Sequence, residues 1–114
     1  MPQVRAGKAN GLAVSTAKRS VLAPDLPTMD QAGVKGYDLA AWFAAFVPAK
    51  TPQPVVDTLR EALVAALNDK ATQDKLLATG IEPETSTPAA LKDFVGSEIK
   101  KWADIVKAAG IQPE

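Results

Sequence analysis

The hydrophobic positions change character near the middle of the chain. Before residue 50 they come in short unbroken runs, and after it they recur every third or fourth residue. Gly11-Leu12-Ala13-Val14-Ser15-Thr16 is such a run, bounded by glycine and polar residues, and predicts a strand buried on both faces. Ahead of it, Val4 to Lys8 reads as the tail of a helix, with Lys8 suited to a helix C-terminus. Residues 17–38 carry Pro24, Pro27, Gly33 and Gly36 among polar residues and predict a structured loop, in which Thr28 can cap one turn through Ala32. Leu39 to Val47 has no charge, glycine or proline and stops at Pro48. Its alanines permit a helix and its aromatics favour a strand. A strand from Trp42 onward is the expectation, because aromatic and branched residues gather beside the proline.

The second half is periodic. Thr51-Pro52 sets a capping hydroxyl before a residue whose missing N–H costs nothing at a helix start. Val56, Leu59, Leu63 and Leu67 then form an apolar stripe. Asp69 is placed to cap a second helix that carries Leu76 and Leu77 and ends at Gly80, which gives a compact helix pair. Ile81 to Ser86, with Pro83 inside, predicts a short edge strand. Thr87-Pro88 repeats the cap-then-proline start. Phe94, Val95, Ile99, Trp102, Ile105 and Val106 mark a helix of about 20 residues, or about 30 Å, stopped by Gly110.

Composition narrows the chemistry. The 114 residues suffice for one core and are too few for two. With 46% hydrophobic and 23% charged residues the chain has the composition of a folded globular protein rather than a disordered one. Thirteen basic residues balance thirteen acidic ones, so no net field gathers nucleic acid or anionic lipid. Histidine and cysteine are both absent, which excludes imidazole triads, thiolate nucleophiles and the usual zinc frameworks. An enzyme on this chain would have to use carboxylate, lysine or tyrosine chemistry. No glycine-rich phosphate cradle, nucleophile elbow or metal-ligand spacing occurs, and no cofactor is expected. No apolar run reaches the roughly 18–20 residues of a membrane span, and the N-terminus lacks the apolar core of a secretory signal.

Three sets of residues are candidates for function. Ser15 and Thr16 stand at the carboxyl end of the first expected strand, where open α/β sheets bind ligands and hydroxyls can hold a carboxylate; a plain turn role fits them equally well. Tyr37, Trp42, Phe43 and Phe46 concentrate the aromatics beside small alanines, as in a pocket wall, with core packing as the blander account. Glu82 and Glu84, two apart in an expected strand, would point their carboxylates to one face, although solvated acids on an edge strand explain them more simply. Glu98, Lys100, Lys101 and Asp104 read as the solvated face of the last helix.

Five segments taken together resemble a known family. Lys8 to Arg19 (KANGLAVSTAKR), Pro24 to Gly33 (PDLPTMDQAG), Gly36 to Pro54 (GYDLAAWFAAFVPAKTPQP), Leu76 to Pro88 (LLATGIEPETSTP) and Lys101 to Ile111 (KWADIVKAAGI) resemble, in order and spacing, the C-terminal third of the periplasmic solute-binding receptors of tripartite tricarboxylate transporters, the Bug family. The resemblance implies a non-enzymatic receptor of two α/β domains that close on a small organic carboxylate and deliver it to a membrane permease. For this chain it implies part of a type II periplasmic-binding-protein fold, α/β with few strands and three main helices. Residues 1–50 would be a remnant of the second receptor domain with a crossover strand, and 51–114 the helical part that packs on the first domain. By position, Ser15, Thr16, Trp42 and Phe43 carry over as ligand-binding residues.

Whole receptors of that family are over twice this long, so the resemblance makes the chain a fragment, not expected to bind ligand alone. Its expected location is periplasmic by resemblance and cytoplasmic if the chain is expressed as written. Open strand edges and uncovered helix stripes predict association, as a homodimer or a domain-swapped assembly. The rival expectation is a small helical interaction module that docks through the Trp102 stripe.

Overall fold

The computed structural model describes residues 2–112 and divides the chain into two compact units, Met1–Pro83 and Glu84–Glu114. In the first unit a single helical turn, α1 (Pro2–Arg5), ends in a left-handed Gly7 at φ 69°. The Lys8 amide reaches back to the Gln3 carbonyl at 2.9 Å and closes it. The expected helix tail is therefore present.

The expected strand over residues 11–16 shrinks to one residue. Val14 forms an isolated parallel bridge with Thr28: the Val14 amide donates to the Pro27 carbonyl and the Met29 amide to the Val14 carbonyl, both at 2.9 Å. Among the described residues this is the only β pairing. The segments expected as strands from Trp42 to Val47 and from Ile81 to Ser86 belong to no ladder. A strand exists only where a neighbour supplies its hydrogen bonds, and these segments meet none.

Thr28 does cap a turn. Its hydroxyl accepts from the Gln31 amide at 3.1 Å, and its carbonyl accepts from the Ala32 amide at 2.9 Å. The Gln31 side-chain oxygen accepts in return from the Thr28 amide at 3.2 Å, so Thr28 and Gln31 form a reciprocal capping box. Thr28 is also the most deeply buried residue described, at 2% exposure.

The helix pair forms as expected, from α2 (Gln53–Asn68) and α3 (Lys70–Ala78). Its start differs. Pro52 occupies the cap position and no side chain caps the helix, so Thr51 does not play the expected role. The Pro52 carbonyl instead accepts from the Val55 and Val56 amides. The covered line of α2 also departs from the expected stripe: Val56, Arg60, Val64 and Leu67 are half-buried, whereas Leu59 and Leu63 are exposed. Asp69 caps α3 by accepting from the Thr72 amide at 2.8 Å. Gly80, at φ 89°, turns the chain out while the Ile81 amide bonds the Leu76 carbonyl at 2.9 Å.

The second unit holds one helix, α4 (Pro88–Ala108), whose cap is the Thr87 hydroxyl accepting from the Ala90 amide at 3.1 Å. Glu98 corrects the reading of its polar face. It is 6% exposed rather than solvated, and its carboxylate accepts from the Trp102 indole at 3.3 Å and pairs with Lys101 one turn on. Each contact needs only the i,i+3 and i,i+4 spacing of the helix itself. Among the described residues, no helix is long and apolar enough to cross a membrane.

Candidate functional site

The first candidate residues lie in the loop that follows the Val14 bridge. The Ser15 carbonyl accepts from the Leu39 amide at 2.9 Å, and the Ala17 amide donates to the Asp38 carboxylate at 3.0 Å. These two bonds fasten residues 15–17 to residues 38–39. The beginning of the apolar segment is thereby held beside the hydroxyl pair, although nothing in the sequence pattern singles out Asp38. Ser15 is exposed. Thr16 is half-buried and donates its hydroxyl to the Lys18 carbonyl at 2.6 Å, which is the turn role weighed from the sequence; its oxygen keeps acceptor capacity.

Trp42 is 37% exposed and Phe43 83% exposed, so Phe43 offers a free ring to solvent. Phe46, at 69%, is equally bare. Core packing, the bland account of the aromatic cluster, therefore does not describe Phe43 and Phe46. Tyr37 is half-buried.

Behind Ser15 and Thr16 a polar framework holds the loop. The Arg19 guanidinium donates to the Gln31 side-chain oxygen at 3.1 Å and to the Pro24 carbonyl at 3.4 Å. Gln31 thus serves both the capping box and Arg19. The Thr-x-x-Gln spacing of residues 28–31 was the signal that would have found it. Asp30 accepts from the Gly36 amide at 2.8 Å and pairs with Lys35 at 3.3 Å, and these donors hold its carboxyl below the usual aspartate range, the Gly36 bond foremost. Asp69 is lowered likewise, chiefly by the Thr72 amide and then by its hydroxyl. Neither is a general base poised near neutrality.

Glu82 and Glu84 are not presented together on a strand face, since their segment is not a strand. The Glu82 carboxylate accepts from the Ser20 hydroxyl, a link across 62 positions of sequence, and Ser20 also receives the Leu22 amide at 3.1 Å. A hollow of about 320 Å³ opens between α1 and residues 22–26, walled by Val4, Leu22, Ala23, Pro24 and Leu26, with Arg5 and Asp25 as its charged members. None of the four sequence-derived site residues lines it. Among the described residues, no three acidic side chains gather as a metal site would require.

The family model of the tripartite tricarboxylate transporter family receptors matches residues 1–111. This chain belongs to that family. It is 35% identical over 111 residues to the UPF0065 protein of the TAR-I ttuE-ttuC' intergenic region of Agrobacterium vitis, covering 95% of this chain and 32% of that protein. Among solved structures it resembles the periplasmic binding protein BugD, at 36% identity and a TM-score of 0.76, over 99% of this chain and 38% of BugD. R. palustris Rpa4515, solved with adipate, matches at 38% identity and the same TM-score, again over 99% of this chain and 38% of that one. The chain thus spans about a third of the length of each of these three proteins. Its fold is a part of their α/β periplasmic-binding fold, with three main helices and little strand, as the resemblance implied.

Proposed function

We propose that the chain is a segment of a non-enzymatic solute-binding receptor that takes a small organic carboxylate in the periplasm and passes it to the membrane permease of a tripartite transporter. The family match over residues 1–111 carries this reading. A similar receptor holding adipate supports a carboxylate as the ligand class. Residues 1–50 would belong to one receptor domain and 51–114 to the helical part that packs on the other. Ser15 and Thr16 would supply hydroxyl contacts to a carboxylate, and Trp42 and Phe43 an aromatic wall. Binding requires a second body to complete the pocket, and self-association is one way to supply it. The exposed Phe94, Ile99 and Trp102 of α4 favour the rival reading, a helical docking module, only in part, since a partial fold exposes such residues as well.

The test is a chimera in which this chain replaces the matching third of the adipate-binding receptor. Calorimetric titration with adipate, then with tricarboxylates, amino acids and nicotinate, should give saturable heat with at least one carboxylate. Ser15→Ala with Thr16→Val should weaken that binding about tenfold, the equivalent of about 1.4 kcal/mol. A folded chimera that binds no carboxylate overturns the receptor reading. Unchanged affinity in the double variant removes the hydroxyl pair from the site.

A further inference from the structure

Building on the receptor reading above, we propose that Asp38 is a positioning residue for carboxylate binding. Its side chain holds the loop that carries Ser15 and Thr16 at a fixed offset from the segment that carries Trp42 and Phe43.

The hydroxyl loop is pinned upstream at Val14, whose amide and carbonyl bond the Pro27 carbonyl and the Met29 amide, both at 2.9 Å, beside the buried Thr28. Downstream it is pinned at two points. The Ser15 carbonyl accepts from the Leu39 amide at 2.9 Å, and the Asp38 carboxylate accepts from the Ala17 amide at 3.0 Å. One hydrogen bond lets two segments pivot about it, and a second nearby removes that freedom. Here the second is made by a side chain that reaches across 21 positions of sequence. It is also of the stronger kind, because its acceptor is charged. The Thr16 hydroxyl closes the turn onto the Lys18 carbonyl at 2.6 Å, so residues 16–18 shift as one piece if an anchor is lost.

Trp42 follows Leu39 by three residues, so whatever fixes residues 38–39 against 15–17 also fixes where the aromatic pair begins. A ligand that meets both the hydroxyls and the rings depends on that offset. A ligand that meets the hydroxyls alone does not. Contacts held in place beforehand lose less freedom on binding, which is how an anchor outside the site gains affinity within it. Asp38 is exposed and carries the same sign of charge as a carboxylate ligand, so it holds the site without being a contact in it.

The test uses the chimera described above. Asp38→Ala deletes the acceptor, whereas Asp38→Asn keeps an oxygen for the Ala17 amide and removes the charge. Affinity is measured for the carboxylate of the titration series that binds most tightly and, by competition against it, for propionate as a short probe of the hydroxyl pair. In a variant shown to be folded by circular dichroism, Asp38→Ala should weaken the tight ligand about tenfold and propionate less than about threefold. Asp38→Asn should return the tight ligand to within about threefold of the unsubstituted chimera. A purely structural role would weaken both ligands by one factor, since a smaller competent fraction scales every affinity alike. Where the alanine variant does not fold, Asp38→Glu shifts the acceptor by one methylene and should give the same unequal loss. Equal losses, no loss, or an asparagine variant as weak as the alanine one overturns the proposal. A folded chimera that binds no carboxylate overturns the receptor reading and this role with it; one that binds and is indifferent to residue 38 overturns this role alone.

Discussion

Residues 11–39 and the helices of 53–108 are opposite kinds of structure. The first region has almost no regular secondary structure, yet it holds Ala23 and Thr28, the most buried residues of the first unit, and a dense set of bonds among Thr28, Gln31, Arg19 and Pro24. The helices are regular, and α3 and α4 carry side-chain caps, yet no hydrophobic residue in them is fully buried, and Leu59, Leu63, Phe94, Ile99 and Trp102 are exposed. Regularity and burial are therefore separable. A helix forms from contacts three and four residues away, whereas burial needs a second surface.

The strongest way to break this comparison is Thr28→Ala. It deletes the acceptor for the Gln31 amide inside a buried turn, and we expect a loss of about 1–2 kcal/mol by urea unfolding, with loosening of residues 15–39 in hydrogen exchange. If the loss fell below about 0.5 kcal/mol, the polar framework would not be what holds the loop.

Gly96→Ala tests the other side. Gly96 lies inside α4, and a Cβ there meets nothing within 4 Å. The substitution should raise stability by about 0.5–1 kcal/mol through helix propensity alone. A destabilised variant would mean that something covers this face of the helix.

The smallest effect concerns acid. Asp30 and Asp69 both have lowered folded-state pKa values. Their contribution is therefore present above the unfolded-state pKa and fades as pH falls through the folded-state value, so the unfolding midpoint should drop on acidification below the ordinary aspartate range. Asp69→Asn keeps a good cap and removes the charge, and Asp30→Asn does the same for the loop. Either variant should flatten the acid limb slightly, and added salt should shrink the difference. An acid limb identical in all three proteins would show that these carboxylates play no part in it.

Much of the helical architecture was legible beforehand because its signals are short-range. Asp69, Gly80, Thr87 and Gly110 each mark a boundary within a few residues, and all four act there: Asp69 and Thr87 as caps, Gly80 and Gly110 in the left-handed conformation. Thr51 misled because Pro52 took the cap position itself. The strands misled for a different reason. The run at 11–16 has strand composition, but composition does not supply a neighbour, and only Val14 finds one. At the candidate site, Ser15 and Thr16 could be singled out by position along the chain. Asp38, which fastens their loop, could not, because its partner lies 21 residues away.

The sequence by itself determined the boundaries of α3 and α4 and to which receptor family the chain belongs, since caps, glycine turns and motif order are all written locally. Only the tertiary structure decided that Glu98 is enclosed rather than solvated, that Leu59 and Leu63 leave the covered line of α2, and that Ser20 holds Glu82. The physical reason is the same in each case. Conformation along the backbone is chosen by near neighbours, but burial and strand pairing depend on which distant surfaces arrive, and one-dimensional order does not specify that arrival.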